Sequence, residues 1–270
     1  MDLISVREIR MPRDRSEIVF APGEQPLGGG TWLFSERQPG LTGLVDLTAL
    51  GWEPLTVTAE TLTIAATCTI RDLTLLPAQA GWHAHPLLSL CANSLLASFK
   101  IWNVATVGGN VATALPAGAM TSLMAALDAT AVIWGPEGEA RTMPVATFVR
   151  GVRQTDLRPG EVLRALEVPV ASLSSQFAFR RIALSNLGRS GALVIGRVDP
   201  SGEHVYTVTA ATPAPVQFRF DEAPSAAALK HAFDGIQEWY DDPHGAPDWR
   251  RAVSTLFGEE IRGELEGSAA

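Results

Sequence analysis

Two clusters of glycine carry most of the chemical information in these 270 residues. The first is Pro26-Leu27-Gly28-Gly29-Gly30-Thr31-Trp32-Leu33, and the second is Val104-Ala105-Thr106-Val107-Gly108-Gly109-Asn110. Each glycine costs about 0.5–1 kcal/mol relative to alanine in regular structure, so such a run needs a reason. One reason is a tight loop whose bare backbone lets a large ligand lie close and whose N–H groups converge on an anion. The other is a flexible turn. The first cluster is not a common nucleotide motif: the third glycine of G-x-G-x-x-G would fall at Leu33, and no Gly-Lys-Ser/Thr follows to make a P-loop.

Other reactive side chains offer less. His83 and His85 would share one side of a strand, as a metal pair does, but no third ligand is near, and both are taken as solvated or capping residues. His244 follows Pro243 in a loop. Asp241 and Asp242 lack the apolar pocket of hydrolytic carboxylate pairs, and no G-x-S-x-G elbow occurs. Cys68 and Cys91 lie in apolar surroundings away from any C-x-x-C spacing. They are expected to be buried reduced thiols, unable to ligate an iron–sulfur cluster or structural zinc by themselves. No metal site is therefore expected.

Net charge is −8, from 21 Lys and Arg against 29 Asp and Glu, with no basic cluster. Nucleic acid and anionic membrane are disfavoured as partners, and any bound phosphate falls to backbone N–H groups. No apolar segment reaches the roughly 18 residues of a membrane span. The first residues carry acids where a secretory signal carries bases, so a cytoplasmic location is expected.

The elements that must position the glycines follow from patterning. With 46% apolar residues the chain can bury a substantial core in two or three subdomains. Strands are predicted at 4–9 and 44–47, with Asp14 or Ser16 capping a brief helix to Phe20. Residues 56–66 alternate as a hairpin, and Thr69 with Asp72 forms a capping box. Pro86 opens a helix with Leu87, Leu88, Cys91, Leu95, Leu96 and Phe99 on one stripe, leading into the second glycine cluster. A buried helix is predicted at 120–127, and strands at 130–134, 142–149 and 160–170, the last with Val162, Leu166 and Val168 on a similar face. Residues 177–184, 191–198 and 205–211 read as a small meander, covered by helices at 227–236 and 249–265.

GGGTWL (28–33), LVDLTAL (44–50), VATVGGNVATALPAG (104–118), GEVLRALEVPV (160–170) and FAFRRIALSN (177–186) occur in this order, with a tail at 241–251. Together they resemble the FAD-binding (medium) subunit of the molybdenum hydroxylases, the xanthine dehydrogenase and carbon monoxide dehydrogenase family. The resemblance implies an α+β protein with an FAD-binding fold of two small α/β subdomains, like vanillyl-alcohol oxidase, at 1–52 and 53–170. A C-terminal three-stranded antiparallel sheet with helices would occupy 171–270.

It also implies that FAD lies with its pyrophosphate between the two glycine loops. Leu27, Gly28, Gly29, Gly30, Thr31 and Trp32 would form the first loop, and Thr106, Gly108, Gly109 and Asn110 the second, with Ala97 and Thr113 alongside. Trp32 would mainly cover the core. Leu163 takes a flavin-contacting strand position. Arg180 lies either beside the isoalloxazine ring or in a plain surface salt bridge. FAD would carry the redox chemistry, taking electrons from [2Fe–2S] clusters of a small subunit and passing them to an external acceptor. A large subunit would hold molybdopterin, a dimer of heterotrimers being one arrangement. Leu115 and Ala119 depart from the family, which often has a polar residue at the first position and an Asp at the second. Either Thr113 or Thr121 compensates, or the chain is a degenerate assembly subunit that binds FAD weakly or not at all.

Overall fold

The computed structural model describes residues 3–95 and 97–268. Three main sheets follow one another along the chain. The first holds β1 (Glu8–Arg10), β2 (Glu24–Leu27) and β3 (Gly43–Asp46), parallel and in the order β1-β3-β2. Short 3₁₀ turns, not α-helices, serve this sheet. Asp14 accepts from the Ser16 N–H to open one, and Asp46 accepts from the Thr48 N–H to open another that ends at Gly51. Leu27, Leu41 and Leu44 form a small core of their own.

The second sheet carries the body of the molecule. Strands β4 (Leu55–Val57) and β5 (Thr61–Ala65) make the expected hairpin. Thr69 caps α1 (Ile70–Thr74), its hydroxyl accepting from the Asp72 N–H at 3.0 Å. Helix α2 (Pro86–Ser94) begins on proline but stops before the end of its apolar stripe, because Leu95 turns extended. Phe99 starts a separate turn, α3 (Phe99–Trp102), and is 74% exposed, not buried with Cys91; Leu96 lies outside the described residues. Next come α4 (Val107–Thr113) and the wholly buried α5 (Ala119–Ala126). Strands β6 (Thr130–Trp134) and β7 (Ala140–Pro144) follow. The strand expected to run on to residue 149 instead gives way after Pro144 to α6 (Val145–Phe148). A two-stranded ribbon, β8 (Val149–Gly151) with β9 (Gln154–Thr155), then leads to β10 (Val162–Pro169). The sheet order is β4-β5-β10-β6-β7, antiparallel throughout.

Strand β10 does not keep one alternation. A bulge between Leu163 and Ala165 sets Leu163 with Leu166 and Val168 in the large core, and turns Val162 to a separate cluster with Ile18, Val45 and Leu47. The similar face expected for Val162, Leu166 and Val168 is therefore broken, because one extra residue reverses which face the next side chain takes.

After α7 (Val170–Leu173) the third sheet has four strands, not three. These are β11 (Gln176–Ala183), β12 (Ser190–Val198), β13 (His204–Thr209) and β14 (Val216–Phe220), antiparallel in chain order. Helices α8 (Ala226–Asp234) and α9 (Pro247–Ser268) cover one face, where Tyr206, Val208, Phe233, Ile261 and Leu265 pack together. The other side of the sheet meets α5, with Leu193, Ile195 and Ala210 joining the large core and Ser122 sharing a hydrogen bond of 2.7 Å with Thr209.

A buried charge cluster closes this junction. Arg197, on β12 and 1% exposed, donates to Asp199 at 2.6 Å, to Asp128 and to the Ala126 carbonyl. Arg219 bridges Asp128 to Glu203. Burial alone would raise the Asp128 carboxyl, but the hydrogen bonds from Arg219 and Arg197 outweigh it and hold it below the usual carboxylate range. Replacing Arg197 by Met leaves half-buried carboxylates facing each other and is expected to cost about 3 kcal/mol, read as a lower urea midpoint. Because the Asp128 pKa is depressed in the folded state, its stabilisation is present above the unfolded value of about 3.9 and is lost as pH falls through the folded one. Asp128→Asn is therefore expected to flatten the loss of stability below about pH 4 in acid titrations followed by circular dichroism.

Candidate functional site

A cleft of about 550 Å³ opens between the first sheet's glycine loop, the α3–α4 segment and β10, within the roughly 300–1,000 Å³ typical of small-molecule sites. Its walls bring together Gly28, Gly29, Gly30, Thr31 and Trp32 with Ala97, Thr106, Gly108, Gly109, Asn110, Thr113 and Leu163. Two expected members are elsewhere. Leu27 packs with Leu41 and Leu44 inside the first sheet's core. Arg180 donates to Glu260 and Glu264 of α9 at 2.8 Å each, which makes it the salt-bridge partner and not a cleft residue.

The glycines are bare for a reason the sequence does not reveal. A Cβ on Gly29 would overlap the carbonyl oxygen of Val104, and one on Gly108 would sit 2.7 Å from the carbonyl oxygen of Ala66. The obstacle is backbone at Gly29 and the backbone and Cβ of Ala66 at Gly108, so at these two positions it is protein, before any ligand, that excludes a side chain. Between the clusters stands Thr106, whose hydroxyl caps α4 by accepting from the Gly109 N–H at 3.1 Å.

Gly108 and Gly109 lie inside the first turn of α4, not in an open loop. The Val107 N–H donates to Cys68 O at 2.8 Å, Gly108 to Ala66 O at 3.0 Å and Asn110 to Thr106 O at 3.0 Å. With Gly109 held by the Thr106 hydroxyl, every donor of that turn is already used, and the second cluster supplies shape more than hydrogen bonds. The first loop differs. Among the described residues, the N–H groups of Gly29, Gly30, Thr31 and Trp32 have no protein acceptor.

Side chains refine the picture. Asn110 accepts from the Met120 N–H at 2.9 Å and so fixes the start of α5. The Thr113 hydroxyl donates to Gly109 O at 2.6 Å. The β10 bulge is what brings Leu163 to the wall, while Arg164 stacks behind it on Trp52 and Trp134. Leu115 lines the cleft, but Ala119 is fully buried in α5 and does not reach it. Trp32, expected mainly to cover the core, lines the wall; its indole N–H and the Gln38 amide nitrogen are buried there with no hydrogen-bond partner among the described residues.

The charge of the lining was not anticipated. Among the described residues it contains no Asp or Glu, in a chain of net charge −8, and its charged side chains are Arg153 and Arg189. Single arginines in a short turn and a loop give no pattern in the sequence; the fold alone gathers them. The remaining candidates stay structural. His85 bonds through a ring nitrogen to Leu76 O at 2.8 Å, and Asp242 pairs with Arg250. Both cysteines are free and buried, the Cys68 thiol pushed up to about 12 by burial and the nearby Asp72 charge, and Cys91 raised further by burial. No cluster of three potential metal ligands occurs among the described residues, and no helix there is long and apolar enough to cross a membrane.

Residues 15–171 match the family described as "FAD binding domain in molybdopterin dehydrogenase". The carbon monoxide dehydrogenase medium chain of Afipia carboxidovorans is 34% identical over 88 residues, 33% of this chain and 30% of that one. The xanthine dehydrogenase of Oryza sativa subsp. japonica is 40% identical over 73 residues, 27% of this chain and 5% of that protein. The matched stretches thus span less than a third of each of these relatives. In fold, the chain superposes on quinoline 2-oxidoreductase from Pseudomonas putida 86 with a TM-score of 0.83 at 22% identity, covering 100% of this chain and 99% of that one. Reconstituted CO dehydrogenase from Oligotropha carboxidovorans gives 0.84 at 22% identity, with 97% of each chain covered.

Gly29→Ala tests the interlock directly. With rigid backbone at Val104 the two elements must separate, and a loss of about 3 kcal/mol in chemical denaturation is expected. Gly40→Ala meets no neighbouring atom and carries only the strain of a left-handed φ, +82°, so it is expected to cost about 1 kcal/mol.

Proposed function

This chain belongs to the family of FAD binding domains in molybdopterin dehydrogenase, and we propose that it is the electron-transfer subunit of a multi-subunit molybdenum hydroxylase. It is an oxidoreductase component whose cofactor is FAD. A partner small subunit delivers electrons from [2Fe–2S] clusters, a partner large subunit holds molybdopterin and oxidises the substrate, and an external acceptor drains this chain. The same reading takes 1–52, 53–170 and 171–270 as its structural units, puts it in the cytoplasm, and assembles it as a dimer of heterotrimers.

One observation carries the reading: a cleft whose described lining holds no carboxylate but two arginines and a row of N–H groups without acceptors among the described residues, in a chain that is otherwise acidic. Such a site suits a diphosphate, whose oxygens accept from backbone donors and whose charge needs cations or their equivalent. The N–H groups of Gly29 to Trp32 would hold the phosphates, with Gly108 and Gly109 forming a close wall. Leu163, Ile101 and Leu115 supply apolar surface to a ring system and keep water from it. Bound FAD supplies the redox chemistry, so the chain needs no acid, base or nucleophile of its own and contributes binding, orientation and charge. The two buried cysteines, with thiols held protonated, leave the iron–sulfur clusters to a partner.

A second reading, an assembly subunit with weak or no FAD, is favoured by Leu115 and Ala119, which offer the cofactor's ribose no polar partner. The purified chain or its complex decides between them. The first reading expects flavin absorbance and about one FAD released by acid per chain; a colourless complex releasing no flavin overturns it and leaves the second.

A further inference from the structure

Arg153 occupies the tip of the turn between β8 and β9 in a left-handed conformation, φ +57°. For a residue with a side chain this conformation is strained and persists only where surrounding structure fixes it. Here the Arg153 N–H donates to Ala114 O at 2.7 Å, and Ala114, the residue that ends α4, is itself left-handed at φ +51°. Two strained residues thus hold each other, and the turn is aimed across the cleft. The Arg153 guanidinium lies 5.7 Å from the centre of the Trp32 ring. Trp32 belongs to the loop whose N–H groups have no acceptor.

Neither Arg153 nor Arg189 forms an ion pair among the described residues. In a chain with eight more acids than bases, an arginine without a carboxylate, on a cleft wall without a carboxylate, is a cation kept for an anion that the protein does not itself supply. A guanidinium near an aromatic ring keeps its N–H groups for oxygens, and the fork matches two phosphate oxygens at once. Arg189 approaches from the β11–β12 side, while Arg153 reaches the glycine loop through Trp32.

We propose that Arg153 neutralises the diphosphate of the bound dinucleotide from the β8–β9 side of the cleft, and that Trp32 positions its guanidinium for that contact. The inference rests on the FAD reading above. The backbone donors of Gly29 to Trp32 hold the phosphates from one side, Arg153 closes on them from the other, and the Ala114 contact ties its reach to the end of the helix whose first turn forms the wall.

The test uses the full chain, stripped of flavin and titrated with FAD, following flavin fluorescence at low and high salt. Arg153→Gln is expected to weaken FAD binding by about 10- to 100-fold, the worth of one charge-assisted contact. Arg153→Lys is expected to stay within about tenfold of wild type, since it keeps the charge. The ratio between wild type and Arg153→Gln should shrink as salt rises, because the lost interaction is ionic. Circular dichroism of the flavin-free variants confirms the fold of a turn residue substituted at the surface. A wild-type affinity in Arg153→Gln overturns the inference while leaving the FAD reading intact. So does an Arg153→Lys as weak as Arg153→Gln with a ratio indifferent to salt, which would assign Arg153 to packing on Trp32. A wild-type chain that takes up no FAD overturns the functional reading itself, and this inference with it.

Discussion

The glycine loop meets the chain leading into α4 at Gly29 against the Val104 backbone, and α4 in turn meets the end of β5 at Gly108 against Ala66, with no room for a Cβ at either point. Most of what the cleft can do descends from this contact. It sets the distance between the first sheet and the second, together with the apolar cluster that Ile18, Val45 and Leu47 form with Val162. It buries the first turn of α4 so closely on residues 66–68 that all its donors find protein acceptors. Among the described residues, the N–H groups of the loop from Gly29 to Trp32 find no protein acceptor. One constraint therefore produces both a satisfied wall and an unsatisfied one, and a ligand able to accept hydrogen bonds completes the second.

The junctions between sheets are held by polar contacts placed where the backbone is strained. Among the described residues with side chains, Ala114, Asp128, Arg153 and Ala210 adopt positive φ. Arg153 bonds to Ala114, Ala210 donates to Pro116 O at 2.9 Å, and Asp128 receives Arg197 and Arg219. Arg250, buried beneath the third sheet, donates to Ala210 O at 2.5 Å and to Gly191 O, and pairs with Asp242. Each strained residue is thus gripped from a different part of the chain, the condition under which such conformations survive. The third sheet, which adds no residue to the cleft beyond Arg189 at its edge, braces the segment from Ala114 to Gly118 that joins the two helices behind it.

Legibility in the sequence followed locality. Thr69 and Asp72, Asp14, Pro86 and the alternation in residues 130–134 signal caps, starts and strands because their partners are a few residues away. The glycine clusters are legible as a site for the same reason, though their cause is not: Val104 and Ala66 carry no mark of the contact in sequence, so the bareness reads as a ligand cradle or a flexible turn when protein contacts demand it first. The bulge at Arg164 leaves no local mark, and with it went the true facing of Val162 and Leu163. Strand β14 does not read as a strand in the sequence because Pro213 and Pro215 precede it and suggest a loop, although Val216, Phe218 and Phe220 alternate. Arg180 sits in a recognisable motif yet turns to α9, whose acids lie 80 residues on, while Arg153 and Arg189, which do reach the cleft, stand in segments with no pattern to flag them.

The absence of carboxylates from the cleft lining, in a chain carrying eight excess negative charges, separates how a polyanion arrives from how it stays. At distance the ligand meets the field of the whole molecule, which opposes its approach. Within the cleft it meets two arginines and a row of dipoles at contact range. Salt, which shortens the reach of a field to about 10 Å at 0.1 M, relieves the first and weakens the second. Arrival and residence thus respond to ionic strength in ways that partly cancel at equilibrium and add in the rate of exchange. A slow gate and a firm grip are built from the same charge distribution, with no moving part.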